Sequence, residues 1–484
     1  MDRKRWNSSG PPGTDDPFDL AIHAARLIGA DPDLVLHGGG NTSFKSGRGD
    51  SALLHVKGSG ADLATVTRDD YVTLRLAPVR DLVTRPGLDN AGLYPALAPS
   101  IVGNTAARPS IETLMHAGLD APHAIHTHAA AVLALSNCVE GERHLSAALG
   151  GRAALVPYRH SGADLARACM DAQARKTPTT TGLVLMHHGA VAWGDDAGEA
   201  YERMLWLADT ADAYLDAHGA TDCAPAAADQ RPLTSGQLLR IAGLRARACA
   251  VAGHGLIARF SRDTFAQGLL DRTDLADFSL RGPSTPGHAI HTKRHPLIGD
   301  AVEAFARDYR VYLGDAGGID CAPRIVLDGR TGMLALGVTA RHARIAEEIF
   351  RHDARIMLRA QAMGGYRTIA AEAMRSAEVE YAGFEARVAA GYPRAGQVHL
   401  IDRARDRADT VDGLLKEGAA VIAIDAPEGF ATSDACLPLP PVRATEDVAT
   451  TLEAAVRAFG GIDACVADRA LAAACQPFLD LAHV

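Results

Sequence analysis

Apolar residues return every three to four positions near the start of the chain. Leu20, Ala21, Ala24 and Leu27 lie on one stripe and predict an amphipathic helix over 17–32. Short apolar runs, SALLHV at 51–56 and LVLM at 183–186, are bounded by polar residues and predict strands. A second long stripe, EAYERMLWLADTADAYLDAH at 199–218, predicts a helix with one buried face. Strands alternating with helices place the chain in the α/β class. Small residues and proline dominate 221–236, which reads as a linker closing a first domain at about 17–220.

Beyond the linker the pattern echoes itself. APRIVLDGRTGMLALGVTARHARIAEEIFRHDARIM follows the same plan as TGLVLMHHGAVAWGDDAGEAYERMLWLADTADAYL: apolar strand, glycine turn, second strand, long helix. The reading is an α/β middle domain over 237–392, which is either a diverged repeat in which the HHG position has become GRTG or the strand–turn–helix plan that any α/β protein repeats. Residues 393–484 begin with a strand, QVHLID, a helix, ADTVDGLLKEG, and a second strand, AVIAID, ending at Asp425. A further helix and strand follow. This order predicts a partial Rossmann-like domain.

At 484 residues the chain has room for two or three domains. A net charge of −9 argues against general nucleic-acid binding, which needs a basic footprint. Eight cysteines lack CxxC spacing and read as reduced, buried thiols. No apolar run approaches a membrane span. The first sixteen residues have basic groups but no hydrophobic stretch behind them, so they read as a disordered tail, not a signal peptide, and the expected location is cytoplasmic.

The chemistry concentrates in the first domain. In HTH, His126 and His128 are two residues apart on an extended strand, so both imidazoles point to one face. Some sixty residues later comes the HHG of His187, His188 and Gly189. A third imidazole completes a His₃ set, which leaves a coordination position open for substrate. Glu112, in PSIETLMH, adds a carboxylate. Neutral nitrogens with one carboxylate suit zinc as a Lewis acid. Upstream, HGGGNTSFK (37–45) and KGSG (57–60) suit an anion, because glycines let backbone amides converge while Asn41, Ser43, Ser59 and Ser110 add short donors and Lys45 and Lys57 add charge. In the middle domain, His288, His291, Lys293, Arg294 and His295 form a basic cluster beside Thr285, readable as a solvated loop or as an anion contact.

Taken in order, GGGNTS, KGSG, PSIET with MH after it, IHTHAAAV, VPY and VLMHHGAVAWG resemble the class II aldolase/adducin head family across roughly 20–215. That family includes fuculose- and rhamnulose-phosphate aldolases and ribulose-phosphate 4-epimerase. The resemblance implies a three-layer α/β/α head. It implies one zinc ion per chain, held by His126, His128 and His188, with Glu112 able to bind the metal at rest and to move a proton. It places Gly40, Asn41, Ser43, Ser59, Gly60 and Ser110 at the phosphate or equivalent anionic head, and it matches Tyr158 to a proton-donating tyrosine sent to the neighbouring subunit. His37, His123 and His187 read as supporting or structural residues. The implied reaction is reversible retro-aldol cleavage of a ketose phosphate or related sugar derivative through a metal-stabilised enediolate, in a homo-oligomer, most often a tetramer. Sugar-phosphate 4-epimerisation, decarboxylation of a keto-acid phosphate and a non-catalytic adducin-like binding role are the alternatives on the same scaffold.

The later segments are similar to longer proteins that join an aldolase head to a short-chain dehydrogenase. Here the turn after the first Rossmann strand reads DRARDRAD, without glycine, so side chains would block close approach of a pyrophosphate. The chain also leaves no room for the dehydrogenase serine, tyrosine and lysine. The expectation is a truncated, non-catalytic Rossmann-like domain, with no NAD(P) bound.

Overall fold

The computed structural model describes residues 6, 13–221, 231–314, 318–380, 387, 390–427 and 432–482. Most of the expected tail and most of the expected linker lie outside the described residues. Within the tail, however, Trp6 is held. Its backbone N–H donates to Glu202 Oε1 at 2.6 Å, and its ring packs edge-on against His23 at 5.1 Å. A large, half-buried aromatic ring packed on helical side chains outweighs the local polarity that suggested fraying.

The chain divides into two compact units, Met1–Asp222 with Arg355–Ile369, and Cys223–Ala354 with Ala370–Val484. The first is built on a seven-stranded mixed sheet. Its strands are β1 (Asn41–Ser46), β2 (Leu53–Lys57), β3 (Tyr71–Arg75), β4 (His123–Thr127), β5 (Ala153–Val156), β6 (Gly182–Leu185) and β7 (Gly189–Gly194), in the order β3-β2-β1-β4-β7-β6-β5. Only β5 and β6 pair in parallel; the other neighbours are antiparallel.

One face of this sheet packs Leu54, Val56, Val72, Leu183 and Val191 against Val79, Leu114, Met115, Leu165 and Cys169 from three helices. The helix Ala197–Ala217 covers β7 and β4 on the other face, with Met204 Sδ reached by the Thr127 hydroxyl at 3.1 Å. Helices on both faces make the expected three layers. The first helix runs Pro17–Gly29, capped by the Asp16 carboxylate on Phe18 N–H, and buries Ala21, Ala24, Ala25 and Ile28.

The second unit carries two four-stranded sheets. The first contains β8 (Ile257–Ser261), β9 (Leu297–Ile298), β10 (Ile325–Asp328) and β11 (Gly332–Gly337), in the order β8-β11-β10-β9. The second contains β12 (Val398–Ile401), β13 (Ala420–Ile424), β14 (Cys436–Leu439) and β15 (Ala464–Val466), all parallel, in the order β14-β13-β12-β15. That order is the first four positions, 3-2-1-4, of the Rossmann strand order. A single hydrophobic core runs through both sheets, joining Leu238, Ile257 and Leu334 to Val398, Ile422 and Phe459. Periodicity shows where apolar faces are, not which of them share a core, so the expected boundary at 393 is not a break in packing.

The basic segment 282–297 is not a solvated loop. Ser284, Thr285, His288, Thr292 and Lys293 are all buried, and Pro286–Thr292 is helical. The Asp353 carboxylate organises it, accepting from Ser284 N–H and the His288 ring N–H at 2.9 Å each.

Candidate metal centre

β4 lies in the middle of the first sheet and ends at the histidines. His126 is fully buried, His128 follows the strand half-buried, and His188 sits 8% exposed in the tight turn between β6 and β7. One ring nitrogen from each lies within 4.8 Å of the others, the one such group of three among the described residues. Glycine permits this convergence. A Cβ on Gly189 would lie far inside contact distance of the Thr127 carbonyl, 3.1 Å from His126 Cε1 and 3.2 Å from His128 Cδ2.

Glu112 completes the cluster from the N-terminus of the helix Thr113–Gly118. Its Oε1 is 2.9 Å from His188 Nε2 and 3.5 Å from His126 Nε2. Burial alone would raise this carboxyl, but the adjoining imidazoles of His126 and His188 outweigh it and hold it well below the usual carboxylate range. The His126 imidazole is itself pushed down, chiefly by burial.

The donor chemistry fits a metal ion. His126 Nδ1 faces the Ala190 carbonyl at 2.9 Å, so that nitrogen carries the proton and Nε2 presents its lone pair. Nε2 is fully buried and has no hydrogen-bond partner. It faces the Glu112 carboxylate oxygen, another electron-pair donor, and a shared cation satisfies both.

The anion loops also converge. A Cβ on Gly38 would come within 3.2 Å of Gly60, so the 37–40 and 59–60 loops touch. Ser59 N–H donates to the Arg108 carbonyl at 2.9 Å, joining them to the segment that carries Ser110. Gly40, at φ 61°, turns the chain into β1 beneath the His126 carbonyl, and Gly60 has φ 80°. Ser59 and Gly60 are exposed, whereas Asn41, Ser43 and Ser110 are buried.

Lys57 is buried and clamps these loops, donating to the Gly38 and Ala61 carbonyls at 3.1 and 2.6 Å; burial pulls it down to about 8. Lys45 does not join the site. It lies at the other end of β1 and donates to the carbonyls of Leu119 and Ala121. Tyr158 is placed by the sheet order just beyond the edge strand. It follows β5, three strand spacings from β4, roughly 14 Å across the sheet.

His116 went unassigned from sequence, although the motif contains it. It is fully buried, with Nε2 2.6 Å from Asn41 Oδ1 and Nδ1 2.7 Å from Ser43 Oγ. His187 supports the turn: at φ 59° its Nδ1 meets Asn137 Oδ1 at 2.7 Å.

The sequence matches known families over both of its main segments. Residues 20–215 match the class II aldolase and adducin N-terminal domain, and residues 237–387 match the second domain of class II aldolases. The N-terminal class II aldolase domain of a conserved protein from Thermoplasma acidophilum is 30% identical; the match covers 44% of this chain and 99% of that one, with a TM-score of 0.40. The L-fuculose-1-phosphate aldolase of Thermus thermophilus is 19% identical over 41% of this chain and 93% of that one, with a TM-score of 0.29. A Bacillus subtilis (strain 168) protein named uncharacterized oxidoreductase YuxG is 26% identical, over 98% of this chain and 75% of its own length. The chain therefore belongs to the class II aldolase/adducin family.

Proposed function

We propose that this protein is a zinc-dependent lyase that cleaves a ketose phosphate, or a related sugar derivative, by a reversible retro-aldol reaction. The observation that carries the reading is the bare, buried Nε2 of His126 facing the Glu112 carboxylate beside His128 and His188. When bound by the three histidines, zinc supplies Lewis acidity to a substrate carbonyl. Glu112, ionised and shielded from water, takes and returns the proton on the carbon beside that carbonyl. The backbone of Gly40 and Gly60, with Asn41, Ser59 and Ser110, receives the anionic end and so fixes the reacting carbons over Glu112. In cleavage, Tyr158 from a neighbouring subunit of a tetramer takes the proton of the substrate hydroxyl that becomes the aldehyde carbonyl, and in the reverse condensation it returns that proton. Among the described residues no helix is long and apolar enough to cross a membrane, and we place the protein in the cytoplasm.

The C-terminal sheet is proposed to work without a dinucleotide, because its residues do not fit one. In the turn after β12, where a glycine loop would approach a pyrophosphate, Arg403 sits at φ 51° and Arg407 donates back to the Asp402 carbonyl. Arg405 N–H donates to the Asp425 carbonyl at 3.0 Å, and the Arg405 guanidinium lies 3.7 Å from the Asp425 carboxylate. Asp425, the candidate ribose ligand, therefore has a cation of its own.

The reaction is tested by incubating zinc-loaded protein with a panel of ketose phosphates and following the released keto and aldehyde fragments by NMR. Turnover of one member, lost in Glu112→Gln, is expected. Absence of cleavage, of epimerisation and of proton exchange across the panel would leave a binding role.

A further inference from the structure

The hydrogen bonds around His116 have a direction, and it ends on Glu112. A carboxylate only accepts, so the Asn41 atom 2.9 Å from Glu112 Oε2 must be the amide nitrogen Nδ2. Asn41 Oδ1 is then turned to His116 Nε2 at 2.6 Å and can only accept, so Nε2 carries the ring proton. A neutral imidazole has one N–H, which leaves Nδ1 bare to accept from the Ser43 hydroxyl at 2.7 Å. Every donor in the chain Ser43, His116, Asn41, Glu112 therefore aims the same way. The second Asn41 amide proton points to Ser110 Oγ at 3.3 Å, and Ser110 Oγ in turn accepts from Glu112 N–H at 3.2 Å.

We infer that His116 is a positioning residue, and that with Ser43 and Asn41 it forms a buried relay that holds one Glu112 oxygen so that the other meets the histidine face. Oε2 is occupied by Asn41, while Oε1 is the oxygen beside His188 and His126. The relay locks both the rotation of the carboxylate and the lone pairs it offers to a proton. It also reassigns Ser43: its single hydroxyl proton is spent on His116 and is not free for a substrate anion. The inference rests on the lyase reading for its catalytic consequence and on hydrogen-bond chemistry alone for its geometry.

Two measurements separate these layers. Ring-¹⁵N NMR of histidine-labelled protein, with His116→Gln to assign the signal, reads the tautomer directly. The relay requires protonated Nε2 and bare Nδ1 on His116; the opposite tautomer overturns it whatever the reaction. Solvent-deuterium exchange into dihydroxyacetone phosphate then reads the function of Glu112. His116→Phe should keep one zinc per chain yet lose exchange by tenfold or more in rate without a matching rise in KM, and His116→Gln, which retains an N–H donor, should recover part of it. Normal exchange in His116→Phe overturns the positioning role. If the wild-type protein shows the required tautomer but neither exchanges this probe nor acts on any member of the ketose phosphate panel, the lyase reading fails and the relay geometry stands.

A different set of observations concerns the middle sheet. Its order β8-β11-β10-β9 reproduces β4-β7-β6-β5 with the same parallel and antiparallel senses throughout. Details recur at fixed offsets, 143 residues from β6 through the helix after β7 and 134 residues between β4 and β8. His188 N–H bonds the Leu185 carbonyl at 3.0 Å, and Thr331 N–H bonds that of Asp328 at 3.0 Å. Glu199 N–H is capped by Asp196, and His342 N–H by Thr339. Gly189 presses on the Thr127 carbonyl and His126, as Gly332 presses on the Ser261 carbonyl and Phe260.

We infer that 257–362 is a copy of 123–217 whose metal positions now hold Phe260, Arg262 and Thr331. If so, the triple variant Phe260→His, Arg262→His, Thr331→His should raise zinc content from about one to about two per chain. A folded triple variant that stays at one overturns the equivalence. If the triple variant does not fold, Arg262→His with Thr331→His, sparing the buried Phe260, decides by cobalt uptake at a second site.

Discussion

Replacing Gly189 by alanine tests whether close strand packing, and not only ligand identity, makes the metal centre. Gly189 is not at positive φ, so alanine meets no backbone strain and the effect is steric. The new methyl would collide with the Thr127 carbonyl, a backbone atom with no rotamer to escape into, and would press on His126 Cε1 and His128 Cδ2 at 3.1 and 3.2 Å. Ordinary contact requires β7 to withdraw from β4 by about 1 Å. Overpacking of this kind costs about 1–3 kcal/mol, and loosening the last ladder bonds adds about 1 kcal/mol each. A loss of about 3 kcal/mol corresponds to a fall in Tm of roughly 6–12 °C for a unit of this size. Metal sites tolerate about 0.2 Å in ligand position, and His188 would move several times that distance relative to His126 and His128. Zinc affinity should drop at least tenfold. Calorimetric unfolding and equilibrium dialysis against zinc are the assays. A variant with wild-type Tm and wild-type affinity would refute the argument.

Three further outcomes follow from other parts of the molecule. Glu378 is 6% exposed, accepts from the Tyr309 hydroxyl, and has no hydrogen-bond partner at Oε1; burial pushes it up to about 7, against the opposing pull of Tyr309, Lys293 and Arg294, with Tyr312 also facing it. The folded state thus keeps a proton that the unfolded chain loses near pH 4.5, so stability should fall from about pH 4.5 to 7, by of order 3 kcal/mol, and then level off. Glu378→Gln should flatten that slope in urea titrations. An unchanged slope would place the proton elsewhere. NAD and NADP should give no binding heat at millimolar concentration, since the turn after β12 has no glycine and carries Arg403, Arg405 and Arg407; micromolar affinity would contradict that reading. Trp6→Ala should lower the stability to unfolding by roughly 1–3 kcal/mol, because its ring packs on His23 and Tyr201; no change would mean the contact is not populated in solution.

The histidine cluster was legible in the sequence because its members sit at diagnostic spacing. A two-residue step on a strand forces His126 and His128 onto one face, and HHG supplies a third imidazole. His116 was not legible. Its meaning depends on Asn41, 75 positions away, and one histidine in a short apolar helix reads the same whether it is idle or hydrogen-bonded at both nitrogens. Lys45 misled for the opposite reason: it adjoins the glycine loop in sequence, but four residues of extended strand carry it to the far end of β1. Polarity also misled at 282–297, where side chains that look solvated are buried around Asp353. Strand sense and order in the middle sheet needed coordinates, since pattern alone gives strands without their neighbours.

The central claim is that His126, His128 and His188 form one metal site on which the chemistry depends. The most direct measurement is the metal content of purified protein after zinc loading, alongside His126→Ala and His128→Ala variants of preserved secondary structure. The account predicts about one zinc per chain in the wild-type protein and none retained in either variant. Wild-type protein that takes up no zinc, or variants that hold it as tightly as the parent, would contradict it.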